Sequence, residues 1–151
     1  MRNHKLIVID KEGRDKGKTF KITEMPAMKA EKWATRALLA LLHSGIEVPD
    51  DAANAGLAGI AAMGIAAFAG LKWQDADPLL EEMMTCVQII PDASNPMVVR
   101  PIMEMADDIE EVSTLFFLRK EVLELHLGFS IADKLSTSAL SATKKETTSN
   151  A

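Results

Sequence analysis

The chain has no tyrosine, one cysteine and three histidines, and these scarcities remove several kinds of chemistry at once. Cys86 alone closes no internal disulfide, so the sequence does not read as a stapled secreted scaffold. His4, His43 and His126 fall on separate expected elements, with neither a paired His spacing nor a Cys-x-x-Cys pattern, which argues against a metal site. Basic residues are outnumbered, 17 Lys and Arg against 22 Asp and Glu for a net charge of -5, and no basic stripe is present to neutralise a phosphate backbone. Nucleic acid is therefore not an expected partner. Met1 to Lys5 lacks the apolar run of a secretion signal, so the expected compartment is a reducing cytoplasm.

The remaining catalytic signatures fail individually. Gly56, Gly59 and Gly64 miss the G-x-G-x-x-G spacing and no Lys-Ser/Thr pair follows, so no phosphate loop and no cofactor are expected. Cys86 lacks the surroundings of a cysteine nucleophile and reads as a buried, inert thiol. The carboxylates of Asp107, Asp108, Glu110 and Glu111 read as the acidic start of a helix rather than as an acid/base pair. The chain is not expected to be an enzyme.

What is present suffices for one folded domain: 151 residues of which 48% are hydrophobic, enough to offset the ordering entropy that keeps polar chains disordered. The expected fold class is α+β and predominantly helical. It comprises an N-terminal β-hairpin, about four helices and a second, short hairpin. His4 to Asp10 and Lys18 to Glu24, with Phe20 and Ile22 alternating against polar neighbours, predict the first hairpin around Gly13 and Gly17. Pro26 and Gly45 bracket a helix whose stripe is Ala30, Trp33, Ala34, Ala37, Leu38 and Leu41.

Residues 52 to 71 carry no charge and have the length of a membrane span. Thirteen of those 20 are Ala or Gly, however, leaving six large apolar side chains to drive insertion, so a buried or interfacial helix with Gly56, Gly59 and Gly70 at a close backbone contact is the expectation, and no membrane partner. Asp77-Pro78 predicts the start of a shorter helix to about Cys86. Val87 to Ile90 and Met97 to Ile102 flank a turn and predict the second hairpin. Asp107 and Glu110 resemble a capping box for a helix over about 108–127, with Gly128 beyond its end.

On that last helix Ile109, Val112, Leu115, Phe116, Leu123 and Leu127 form an apolar face that Leu118, Val122 and Leu125 widen past what a one-sided helix needs, so it should be covered on two sides. Arg119 lies within that face and should find a carboxylate. Phe117 projects among Glu110, Ser113, Lys120, Glu121 and Glu124, where the domain's own core does not reach. It is the leading candidate for a partner-binding residue, with Leu39 and Met28 as further candidates on the polar side of the earlier helix. Residues 1–129 read as a single helical domain. From Ser130 onward nine of 22 residues are Ser or Thr, so 130–151 reads as a flexible tail.

Three stretches, Asp15 to Asp50 with its TEMPA-x-KAEKWA junction, Asp77 to Asp92 with LLEEMM, and Asp107 to Phe129 with L-R-x-E-V-x-x-L-H, resemble the tail assembly chaperones of tailed bacteriophages. The likeness spans most of Asp15 to Phe129, matches residues 51 to 76 only in their Ala and Gly content, and stops before the tail. It implies a protein that works in the host cytoplasm and binds tape measure protein before and during tube polymerisation. It also implies binding to tail tube protein through a longer frameshifted product and absence from the finished virion; the wide apolar helix faces add self-association as a further expectation. It implies no catalytic residue. The rival readings are a structural virion protein such as a tail-terminator or connector subunit, a small membrane protein, and an enzyme.

Overall fold

The computed structural model describes residues 1–48, 50–54, 63 and 65–126. Strands β1 (His4–Val8) and β2 (Thr19–Thr23) form the expected hairpin, with Ile7 opposite Phe20 and Lys5 opposite Ile22. Strand β3 (Val87–Ile90) pairs antiparallel with β4 (Arg100–Pro101) as the second hairpin. The two hairpins join through β2 and β3 into one four-stranded antiparallel sheet in the order β1-β2-β3-β4. The join lays Ile7, Phe20 and Ile89 in one row and Ile22 against Val87, so a single sheet face is apolar. The run expected over Met97 to Ile102 pairs only at Arg100–Pro101. Pro101 lacks a donor and is confined to the edge strand, and Met97 and Val98 stand exposed.

Helices cover that face. Helix α1 (Ala27–His43) ends within a residue of its expected limits. Pro26 supplies the extended residue before its first turn, and Gly45 turns the chain out at φ 81 while its N–H reaches the Leu42 carbonyl. Trp33, Ala34, Ala37 and Leu41 are buried, as the stripe predicts. A short helix α2 (Asp50–Asn54) and a 3-10 turn (Ile65–Gly70) follow. Most of the small-residue segment, Gly56 and Gly59 included, lies outside the described residues. Within the described part, Phe68 packs on Trp33 with ring centroids 6.0 Å apart. The close approach at Gly70 is to the Ile46 side chain, which an added Cβ would meet at 2.7 Å. Among the described residues no helix is long and apolar enough to cross a membrane.

Helix α3 (Trp73–Met84) begins earlier than Asp77-Pro78 suggests. Lys72 supplies the first carbonyl, to Asp75 and Ala76, and Pro78 sits inside the helix, where it forgoes one bond to the preceding turn. Burial of Ala76 and Leu79 holds that turn in place. The Trp33 indole N–H donates to the Leu79 carbonyl at 3.0 Å and ties α1 to α3.

Among the described residues helix α4 occupies 112–126, starting four residues later than the capping-box reading placed it. Asp107 adopts a left-handed φ of 50 behind a 3-10 turn (Glu104–Ala106), so it does not cap the helix. The chain enters α4 through Asp15 of the first hairpin loop, whose carboxylate accepts the N–H of Glu110 at 2.9 Å and of Glu111 at 3.0 Å. Asp108 instead receives Arg100 in a two-pronged pair at 2.6 and 2.7 Å and the Met103 N–H at 2.7 Å. The Arg100 guanidinium accordingly holds the Asp108 carboxyl below the usual range.

The orientation of α4 also differs from the projected face. Thr114, Leu118, Glu121, Val122, Leu123 and His126 are buried, whereas Val112 and Phe116 are exposed. Glu121 turns inward because Lys5, on the inner face of edge strand β1, pairs with it. His126 accepts the Met25 N–H on Nε2 at 3.0 Å and donates from Nδ1 to the Val122 carbonyl at 2.7 Å, which ties α4 to the segment that leads into α1.

Candidate protein-binding surface

The α3 stripe that begins with Trp73 and Ala76 and continues through Leu80 to Met84 follows the helical period, but only Ala76 of these four is buried. On α4 the matching residues are Val112, Leu115, Phe116 and Arg119. Two adjoining grooves open between these rows. The first, about 540 Å³, is lined among the described residues by Phe68, Ala69, Leu71, Trp73, Ala76, Leu80 and Phe116, none of them charged. The second, about 800 Å³, continues past Glu81 and Met84 on α3 and Leu115 and Arg119 on α4 to Ile102, Met103 and Ile109. At about 1.5 Å per residue, the 12 residues of α3 give the seam a length of about 18 Å.

Trp73 is 68% and Phe116 55% exposed, so two aromatic rings face solvent in a groove that is otherwise apolar. Water contact with such a contiguous surface is unfavourable, and large patches of this kind mark contact sites. The width of the α4 apolar face has this explanation: the domain's core takes the Leu118 and Val122 side, while Val112 and Phe116 stay open.

The three residues singled out from the sequence lie apart from one another. Phe117 is 40% exposed and lines a smaller groove of about 260 Å³ with Ile9, Asp10, Lys11, Glu111, Ser113 and Thr114. Leu39 lines a shallow groove between α1 and α3 with Arg36, Ala40, His43 and Asp75. Met28 stands exposed in the first turn of α1. Neither Trp73 nor Phe116 was singled out in advance. The available signal was the recurrence of Trp73, Ala76, Leu80 and Met84 at helical spacing in front of a helix with too wide an apolar face.

Among the described residues Arg119 does not obtain the expected carboxylate. Its Nε is buried with no hydrogen-bond partner. Burial depresses its pKa, and the attraction of Asp77 offsets this in part. The ion pairs among the described residues use other cations, among them Lys5 with Glu121, Lys18 with Asp15 and Glu110, Arg36 with Glu82, and Arg100 with Asp108.

No group of three or more His, Cys, Asp or Glu among the described residues is placed to hold a metal ion. Cys86 is buried, and burial pushes its thiol up to about 11, so it is protonated at neutral pH. It should therefore resist iodoacetamide at pH 8 in the folded protein and react within minutes once urea unfolds it. Rapid alkylation of the native chain would show that the β3 start opens readily.

Comparison with curated proteins found no match, and none was found among solved structures. A family profile does match, described as phage tail assembly chaperone protein, over residues 16–137. That span takes in β2, the second hairpin and the helices on both sides of the apolar seam, and on it the chain belongs to the phage tail assembly chaperone family.

Proposed function

We propose that the chain acts without catalysis, in the host cytoplasm, by holding an apolar helical segment of tape measure protein in the seam between α3 and α4 until the tail tube encloses it. The observation that carries this reading is the pair of exposed aromatics, Trp73 and Phe116, that line one groove with no charged side chain among its described lining residues. A helix laid in a groove is recognised by apolar anchors at helical spacing, and the seam offers about 18 Å of such surface, enough for about three turns. A long tape measure helix exposing its apolar stripe before assembly would otherwise aggregate, and a removable cover for that stripe is what a chaperone of this family supplies. The described residues single out no separate surface for tail tube protein.

Co-expression with the tape measure protein of the same phage tests the proposal. Trp73→Ala with Phe116→Ala is expected to weaken capture at least about tenfold, since buried aromatic anchors commonly contribute about 2 kcal/mol and about 1.4 kcal/mol is tenfold. Removing these exposed rings should change folding stability by only about half a kcal/mol each. Phe117→Ala, made in parallel, is expected to weaken capture only if the contact extends around α4 to the smaller groove. Undiminished capture by the Trp73 and Phe116 variant would remove the seam as the binding surface. Recovery of the chain in purified virions at fixed stoichiometry would favour a structural virion role instead.

A further inference from the structure

We infer that Arg119 reads the partner, selecting a helix that carries a carboxylate in the middle of its apolar stripe. The inference rests on the seam being the binding surface and adds what chemistry the occupant must bring. Arg119 stands four residues beyond Leu115 on α4, in the part of the seam lined by Met84, Ile102 and Ile109. Its Nε is sealed from water without a partner among the described residues. An N–H sealed without an acceptor is costly to the free domain, and none of the described residues supplies one. Asp77 attracts it without forming an ion pair among the described residues.

The surrounding charges define the occupant further. Glu81 and Glu104 also line this groove, and both are exposed. A docking helix with one buried carboxylate for Arg119 and cations toward its ends, meeting Glu81 and Glu104, complements all three charges. An occupant that is apolar throughout would bury the guanidinium with nothing to replace its water. Arginine suits this task better than lysine because its planar fork takes a carboxylate on two donors and fixes its orientation. Charge therefore supplies register in a groove whose other contacts are apolar and would tolerate sliding.

The test uses the full chain and two synthetic helical peptides of about 18 residues, about 27 Å long. Each has an Ala/Leu stripe and terminal Lys residues, and they differ only in Glu or Gln at the centre of the stripe. Fluorescence anisotropy is expected to give at least about tenfold tighter binding of the Glu peptide. Arg119→Met should bind the two peptides alike, at the wild-type affinity for Gln. The Arg119 Nε–H resonance should shift with the Glu peptide only. If the methionine variant folds poorly, Arg119→Lys keeps the charge without the fork and should lose most of the discrimination.

Equal binding of both peptides to the wild-type chain overturns the inference, as does discrimination that survives Arg119→Met. Failure of both peptides to bind while the Nε–H is already protected assigns the groove to the chain's own residues 127–151, which also overturns it. The broader seam reading fails separately. Loss of tape measure capture in the Trp73 and Phe116 variant, alongside equal peptide binding, keeps the seam and removes only the role of Arg119.

Discussion

Trp33→Ala is expected to destabilise the domain by about 3–5 kcal/mol and to lower its Tm by about 10–20 °C. Trp33 is fully buried, packs its indole at a tilt against Phe68 and donates its N–H to the Leu79 carbonyl, so one side chain joins α1, the 3-10 turn and α3. Truncation leaves a cavity bordered by a helix and a short turn, neither of which can collapse without giving up its place on the sheet. Against a total stability of about 5–15 kcal/mol the loss is a large fraction. Because α3 carries Trp73, Leu80 and Met84, a displaced α3 should also lose the seam, and binding should fall together with stability. Trp33→Phe keeps most of the packed ring and removes the hydrogen bond, and it should cost only about 1–2 kcal/mol more than a neutral change. A thermal melt of Trp33→Ala within a few degrees of wild type would show that α3 is held by other contacts.

The features legible in the sequence were those set by neighbours along the chain. Pro26 and Gly45 bracket α1, and the alternation of Phe20 and Ile22 marks β2, because caps and side-chain period act within a few residues. What was not legible depends on partners far away. Pairing of Phe20 with Ile89 makes one sheet of two hairpins, and no local pattern in either strand names the other. Pro78 argued for a helix start, but burial of Ala76 two residues earlier overrode it.

Helix α4 shows the same division. Its apolar residues cover so much of the circumference that Val112 with Phe116 and Leu118 with Val122 are equally good core faces by periodicity alone. The choice is made by contacts remote in sequence: Lys5 draws Glu121 inward, and the Met25 amide fixes His126. The excess width was therefore readable, but the described residues do not cover both sides as it predicted: Val112 and Phe116 stand exposed.

Asp15→Ala is expected to cost about 2–4 kcal/mol, because it strips the acceptor from two amides at the start of α4 and one counter-charge from Lys18. The carboxylate is fully buried, and burial by itself would raise its pKa. Lys18 and the amides of Glu110 and Glu111 outweigh that and bring it down from 3.8 to about 2. Since the folded protein binds this proton more weakly than the unfolded chain does, ionised Asp15 adds about 2 kcal/mol of stability above the unfolded pKa. That contribution falls away progressively as the pH drops from about 4 to about 2.

Asp15→Asn separates this charge effect from simple loss of side chain, since it retains an oxygen for one amide and cannot ionise. Urea unfolding of wild type and Asp15→Asn should show their largest stability difference near pH 6, narrowing by about 2 kcal/mol toward pH 2. The Lys18 ammonium, which also reaches the Asp107 carbonyl and Glu110 at 2.9 Å, remains tethered in the variant, so the hairpin loop should not detach altogether. A difference that stays constant from pH 6 to pH 2 would mean that the carboxylate is not held ionised by these contacts. Since the turn Asp15 secures leads directly into the helix that bears Phe116 and Arg119, the same variant should bind its partner less tightly at neutral pH in proportion to the fraying of that turn.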